Sequence, residues 1–163
     1  MGLEPYKKKR NFKATPEPEG GFEHEHEAVP EGEPKAAALP SRIFVVQEHH
    51  ATHLHYDLRL ESEGVLRSWA VPKGIPEQPG ERHLAVETED HPLEYAGFEG
   101  TIPEGEYGAG EVTIWDSGIY VPLIWEKDKI EVVMKGDRLS GRYVLVRFKK
   151  AGEKEWLLFK AKG

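Results

Sequence analysis

The stretch His55-Tyr56-Asp57-Leu58-Arg59-Leu60-Glu61 decides the fold. Side chains on a strand alternate between faces, so Tyr56, Leu58 and Leu60 share one face while His55, Asp57, Arg59 and Glu61 share the other. The apolar set must turn toward a core. That leaves an imidazole, a guanidinium and two carboxylates in one polar row on the open face. Glu63-Gly64 then predicts a turn into Val65-Leu66-Arg67-Ser68-Trp69-Ala70-Val71, a hairpin partner. Upstream, Ile43-Phe44-Val45-Val46-Gln47 is β-branched and aromatic and reads as another strand.

Working toward the C-terminus, strands are expected over 83–89, 111–115, 129–134, 141–148 and 156–161, separated by Gly, Pro and Asp turns. No long amphipathic helical period interrupts them. Lys35-Ala36-Ala37-Ala38-Leu39 supports a short helical turn at most. The expected fold is therefore mostly β: a compact antiparallel β barrel with few short helices and with its edges closed or nearly closed.

At 163 residues the chain holds one domain with a real core. Residues 1–40 are polar and punctuated by proline, with Lys7-Lys8-Lys9-Arg10 followed by Glu23-His24-Glu25-His26-Glu27. They are expected to form a partly flexible arm over a barrel domain of residues 41–163. His24 and His26 stay outside the candidate site. Lys plus Arg number 22 against 29 Asp plus Glu, a net charge of −7. That balance argues against nucleic-acid binding by bulk positive charge, while leaving room for a local basic groove. Cysteine is absent, which excludes disulfides, thiolate zinc sites, iron–sulfur clusters and a cysteine nucleophile. With eight histidines present, a transition metal must be held by imidazole and carboxylate, a set that suits Mn, Fe or Zn. No apolar run approaches the ~20 residues of a membrane helix, and the start has no signal-peptide core, so a soluble cytoplasmic protein is expected.

His55 and Asp57 stand two positions apart on one strand, roughly 6.5–7 Å at Cα. At that spacing they can lean onto one ion with bonds of ~2.0–2.2 Å. A third ligand has to come from a neighbouring strand, and His49, His50 and His53 lie just upstream. Arg59 follows one alternation later, where its planar fork can meet an anion bound at the ion. A second polar cluster is Glu89-Asp90-His91-Pro92-Leu93-Glu94-Tyr95. Pro92 ends a strand and fixes the backbone beside His91, a suitable place for a general acid or a phosphate contact. The glycine-rich run from Phe98 to Gly110 lacks the Lys-Ser/Thr of a Walker loop and the dinucleotide-binding order, and reads as tight turns. Lys73 is followed by Gly74-Ile75, which argues against a ligase-type nucleotidyl-lysine.

Taken with Phe44-Val45-Val46-Gln47-Glu48-His49-His50-Ala51, Ser68-Trp69-Ala70-Val71-Pro72-Lys73-Gly74 and Thr101-Ile102-Pro103-Glu104-Gly105-Glu106-Tyr107-Gly108, these motifs closely resemble the 3′-phosphoesterase domain of the bacterial and archaeal DNA ligase D family. The likeness runs from about Tyr6 into the C-terminal strands. It implies a small barrel with a crescent groove that removes 3′-phosphates and 3′-terminal ribonucleotides at DNA or RNA–DNA primer–template ends during non-homologous end joining. By the same resemblance His49, His55 and Asp57 would hold Mn²⁺, or Co²⁺, Zn²⁺ or another divalent cation. Arg59 and His91 would grip the scissile phosphate with Tyr95 beside it, and Gln47 and Glu89 would support the site. Lys9-Arg10-Asn11-Phe12 and Thr15-Pro16-Glu17-Pro18 match the family's arm, which makes Arg10 and Glu17 candidate substrate contacts, together with Lys73 and His83. The family usually carries Asp where Asn11 stands and commonly Arg where His83 stands, so His83 or the adjacent Arg82 would supply phosphate charge. A stand-alone monomer is expected, working with an ATP-dependent DNA ligase, a repair polymerase and Ku. Two rival readings are a catalytically weak nucleic-acid-binding module of a repair ligase and a two-His-one-carboxylate iron oxygenase, whose triad His55-Tyr56-Asp57 plus a further histidine also satisfies.

Overall fold

Eight antiparallel strands close on themselves in the computed structural model, which describes residues 2–20 and 41–162. The strands are β1 (Arg42–His50), β2 (Leu54–Ser62), β3 (Val65–Val71), β4 (Arg82–Pro92), β5 (Gly100–Ile102), β6 (Gly110–Trp125), β7 (Lys129–Gly136), β8 (Ser140–Arg147) and β9 (Glu155–Lys160). The order around the ring is β1-β2-β3-β4-β9-β8-β7-β6, and β6 pairs back onto β1. The short β5 is carried by the first residues of β6. The expected antiparallel barrel is thus present, with its edges paired rather than exposed.

Local chemistry explains the joints. Glu63 and Gly64 both have left-handed φ, 54° and 85°, as a two-residue hairpin between right-twisted strands requires. The closing strand β6 is 16 residues long and changes partners along its length. Its Glu111–Tyr120 stretch pairs with β1, and Gly118–Trp125 pairs with β7. Pro122 sits at a register shift in the β6–β7 ladder, where its missing N–H is tolerated. A strand over 111–115 alone therefore captured only the first part of it. Gly110, where β6 begins, has φ +135°, and a Cβ there would collide with the His50 carbonyl.

Two apolar clusters divide the molecule. The larger fills the barrel and draws on all eight of its strands, from Phe44 and Leu58 through Trp69 and Ala85 to Tyr120, Val132, Leu145 and Trp156. Trp69 and Trp156 meet edge to face with ring centroids 5.8 Å apart. The second lies on the outer face of the sheet, where Leu66 and Val112 are covered by Tyr6, Tyr95, Phe98 and Ile102. Tyr6 belongs to the short helix α1 (Glu4–Lys8), whose early Pro5 and first-turn Glu4 suit a helix start. Tyr95 belongs to a 3₁₀ turn at Leu93–Gly97.

This second cluster changes the reading of the β2 row. Leu58 and Leu60 face the barrel core as expected, yet Asp57 and Arg59 on the opposite face are only 7% and 4% exposed. The segment of residues 2–20 and the 3₁₀ turn roof that face, and the polar groups beneath satisfy one another. His24, His26 and the Lys35–Leu39 segment lie outside the described residues. Among the described residues no helix is long and apolar enough to cross a membrane.

Candidate active site

The β1–β2 register sets the chemistry side by side: His49 opposite His55, Gln47 opposite Asp57 and Val45 opposite Arg59. His49 Nδ1 and His55 Nε2 are 3.2 Å apart, and Asp57 offers Oδ2 to the first at 3.6 Å and Oδ1 to the second at 3.3 Å. Each ring spends its other nitrogen on a backbone carbonyl. His49 Nε2–H donates to Gly108 O at 2.8 Å, and His55 Nδ1–H donates to His53 O at 3.1 Å. These assignments follow from the hydrogen-bond network, since a carbonyl can only accept. They leave two lone pairs facing each other beside a carboxylate, with ligand atoms of all three residues within 4.8 Å. Imidazoles locked by carbonyls and aimed at one point with a carboxylate form a donor set that fits a divalent cation.

Electrostatics point the same way. Burial pushes the Asp57 carboxyl up, but Arg59 and the two imidazoles outweigh it and hold the group well below the usual carboxylate range. Burial pushes the His55 ring down, while Asp57 and the His53 carbonyl outweigh that effect and raise it above its ordinary value. Both shifts favour positive charge beside the Asp57 carboxylate.

Arg59 is fixed from two sides. Its Nε donates to Gln47 Oε1 at 2.6 Å and its Nη1 to Ser68 Oγ at 2.9 Å, while Nη2 lies 3.5 Å from Asp57 Oδ2. Gln47 is itself clamped, its amide donating to the Tyr95 and Phe98 carbonyls at 2.8 and 3.0 Å. The guanidinium also lies over the Tyr95 ring, 4.8 Å from its centroid. With two of five N–H groups taken by Gln47 and Ser68, Arg59 keeps donors for an incoming anion.

The N-terminal segment completes the wall. Arg10 Nε donates to Glu17 at 2.9 Å, its Nη1 to the Tyr6 carbonyl at 3.0 Å and to Glu89 at 3.2 Å, and its plane stacks 4.0 Å from the Tyr6 ring centroid. Glu17 also accepts from Thr15 at 2.9 Å and from the Tyr95 hydroxyl at 2.6 Å. Burial holds the Tyr95 phenol far above its ordinary range, so its O–H remains a donor, committed to Glu17. Tyr6 in turn donates to the Pro18 carbonyl. Lys9 bonds Glu89 at 2.9 Å from the open side.

His91, the penultimate residue of β4, lies between Arg59 and Arg10. Its Nδ1–H donates to the Glu89 carbonyl at 3.0 Å, which leaves the Nε2 lone pair facing Arg10 Nη2 at 3.4 Å. Burial, then Arg59 and Arg10, push its pKa well below the ordinary imidazole value. The ring is therefore neutral at physiological pH. Its Nε2 offers a lone pair to the pocket, and the acid or phosphate-gripping role expected from the sequence would need a proton at that atom.

A pocket of about 320 Å³ gathers Arg10, Glu17, His49, His55, Asp57, Arg59, Glu89, His91 and Tyr95, with Gln47 directly behind Arg59. The structure places Lys73 and His83 elsewhere. Lys73 is exposed in the turn after β3, and His83 bonds the Gly74 carbonyl at 2.6 Å; neither lines the pocket. Sequence reasoning missed Ser68, Thr15, Tyr6, Tyr107 and the Gly108 carbonyl. Ser68 shares the outer face of β3 with Leu66 and could have been found by the same alternation that singled out Arg59. The Gly108 carbonyl left no side-chain signal.

The family model of the DNA ligase D 3′-phosphoesterase domain matches residues 47–147, which carry the His49–His55–Asp57 cluster, Arg59 and His91. The chain belongs to that family. This phosphoesterase domain is 44% identical to the multifunctional non-homologous end joining protein LigD of Pseudomonas aeruginosa, over 98% of its own length and 18% of that protein. It is 49% identical to the LigD of Mycobacterium bovis over 87% of the chain, and 45% identical to that of Mycolicibacterium smegmatis over 98%. The domain spans about a fifth of the length of these curated relatives.

Proposed function

We propose that this chain is a divalent-cation-dependent 3′-phosphoesterase that removes 3′-phosphates and 3′-terminal ribonucleotides from DNA or RNA–DNA primer–template ends in non-homologous end joining. The observation that carries the reading is the pair of imidazole lone pairs converging with Asp57. Arg59 and His91 line the same pocket. Family membership supports the phosphoester chemistry, and the relatives' name supports the repair setting.

His49, His55 and Asp57 would hold the cation, with Mn²⁺ first among the candidates and Co²⁺ or Zn²⁺ behind it. When bound, such an ion supplies Lewis acidity at a phosphoryl oxygen. Arg59, held rigid by Gln47 and Ser68, presents its remaining N–H groups to the phosphate and offsets the charge that builds during displacement. Neutral His91, its tautomer fixed by the Glu89 carbonyl, accepts a proton at Nε2 from the attacking water as the new P–O bond forms, and returns it to the departing 3′ oxygen as the P–O3′ bond breaks. Arg10 sits beside that lone pair and orients it. The working partners on this reading are an ATP-dependent ligase, a repair polymerase and Ku.

The test is a 5′-labelled primer–template ending in a 3′-phosphate or one ribonucleotide, incubated with Mn²⁺ and resolved on a gel. The wild type converts the end to a 3′-hydroxyl, whereas Asp57→Ala and His91→Ala do not. Full activity in either variant overturns the assignment. Turnover that requires Fe²⁺ and 2-oxoglutarate in place of a phosphoester would favour the iron-oxygenase reading of the same triad.

A further inference from the structure

Beside the pocket lies a larger open groove of about 910 Å³, and the two share Thr88, Glu89 and Tyr107 as a common wall. Lys9, Lys127, Arg147, Lys149 and Lys154 line the groove. The chain as a whole carries 22 basic against 29 acidic residues, so five basic groups on one groove run against its overall balance. Four acidic groups also line it, and all but the exposed Glu153 are engaged. Glu87 holds Arg67 and the Trp156 indole N–H, Glu89 holds Lys9 and Arg10, and Asp128 holds Arg147 and Lys149. Lys127 and Lys154 make no ion pair among the described residues, which leaves two exposed, uncommitted ammonium groups lining the groove.

Tyr107 stands at the junction. It is 47% exposed, an unusual position for a large aromatic ring in this molecule. The next residue, Gly108, has φ +78° and gives the carbonyl that fixes His49. The ring is thus tied to the metal-ligand cluster at one covalent step and faces the groove on the other side. Lys9 lies 4.7 Å and Arg10 5.2 Å from its centroid, so cations already hold it in place. An exposed, braced aromatic at the mouth of a basic channel is the arrangement that stacks a nucleobase while lysines track the phosphates.

We infer that the groove running from Tyr107 past Lys127 and Lys154 is the track for the nucleic-acid strand whose 3′ end enters the pocket, with Tyr107 stacking on a base near that end. The inference rests on the phosphoesterase reading and extends it to a defined surface. It commits to the strand carrying the reactive end, whose backbone meets the lysines as single charges. A complementary strand is left to the arms of the experiment.

Binding of a 5′-fluorescent 12-nucleotide single strand with a 3′-phosphate is measured by anisotropy in EDTA, where turnover is blocked, across a series of salt concentrations. The Lys127→Ala/Lys154→Ala double variant is expected to lower the slope of log affinity against log salt by about 1.4, two phosphate contacts at about 0.7 each. Lys135→Ala removes an exposed cation outside the groove and leaves the slope unchanged. Tyr107→Ala is expected to weaken binding about 5- to 150-fold with the slope preserved, and Tyr107→Trp to restore it. A parallel arm pairs the same strand with its complement: a loss confined to the duplex would reassign the groove to the other strand and overturn the inference. So would unchanged affinity and slope in the lysine and tyrosine variants while the wild type hydrolyses the end with Mn²⁺. Wild-type binding with these variant effects but no hydrolysis would sink the catalytic reading and leave the groove standing. Failure of the wild type to bind the strand overturns the inference, and hydrolysis of the primer–template with Mn²⁺ then decides the catalytic reading separately.

Discussion

Glu17→Ala isolates the contribution of the N-terminal segment. Glu17 is 4% exposed and serves three donors at 2.6–2.9 Å: Arg10 Nε, Thr15 Oγ1 and the Tyr95 hydroxyl. Truncation leaves the buried Arg10 charge with Glu89 alone and the Tyr95 hydroxyl without an acceptor. Removing one partner of a buried ion pair costs about 3–5 kcal/mol. The barrel core contains no residue of this segment, so the cost falls on docking of residues 4–18 and leaves barrel folding intact. At 1.4 kcal/mol per tenfold, the undocked population rises at least about 150-fold. Native-state hydrogen exchange reads this directly, because the Arg10, Ala14 and Thr15 amides bond within the segment to Lys7 O, Asn11 O and Asn11 O. Their protection should fall by that factor or to full exposure, while amides of Leu58 and Trp69 keep theirs. Glu17→Gln retains an acceptor oxygen and should cost about 1.5–3 kcal/mol. Unchanged protection in Glu17→Ala would refute the reasoning. An equal loss in the barrel would show that segment and barrel are one cooperative unit, and would refute it too.

Gln47→Leu removes the Arg59 Nε acceptor and both carbonyl clamps, and should lower stability by about 3–5 kcal/mol, seen as a reduced urea midpoint at unchanged slope. Acidification should release the N-terminal segment. Burial raises the Glu89 pKa, but the Lys9 hydrogen bond and Arg10 outweigh it and set it below its ordinary 4.5. Its stabilisation is therefore full above pH 4.5 and lost as pH falls through the lowered folded value, which exchange protection at Ala14 and Thr15 should track. Mn²⁺ or Zn²⁺ at 100 times its dissociation constant should stabilise the fold by about 2.7 kcal/mol, a melting shift of roughly 5–11 °C, and Asp57→Asn should abolish it. A shift surviving in Asp57→Asn would move the cation elsewhere.

The alternation around Leu58 was legible because a strand has only two faces, and the Glu63-Gly64 turn because few residues accept left-handed φ. From those two features the hairpin and the polar row follow, whereas the choice of His49 over His50 and His53 rests on the family resemblance. The burial of that row was not legible. It depends on Tyr6 and Tyr95, each isolated in its own stretch, meeting over Leu66 to build a second apolar cluster. The full length of β6 was hidden for a similar reason, since its second half pairs with β7 and tolerates Pro122 only through a register shift. Charge state was the hardest to read. A lone His91 beside a proline gives no sign that burial, aided by two arginines from distant segments, will lower its pKa. Lys73 and His83 show the converse, polar residues in matching motifs that stand away from the pocket, Lys73 exposed in the turn after β3 and His83 on β4 bonded to the Gly74 carbonyl of that turn.

Barrel closure also has a consequence for timing. His49 and His55 are six residues apart across one hairpin, so they can come together as soon as β1 and β2 pair. The carbonyl that sets the His49 tautomer belongs to Gly108 and arrives only when β6 zips onto β1, across a loop of some sixty residues whose closure is entropically slow. The contacts that bring the pair together are local, and so is the His53 carbonyl that sets His55; the carbonyl that sets His49 is the distant one. A cation present during folding would therefore meet a His49 ring still free to exchange its proton, and would select the tautomer that the finished barrel later locks in place.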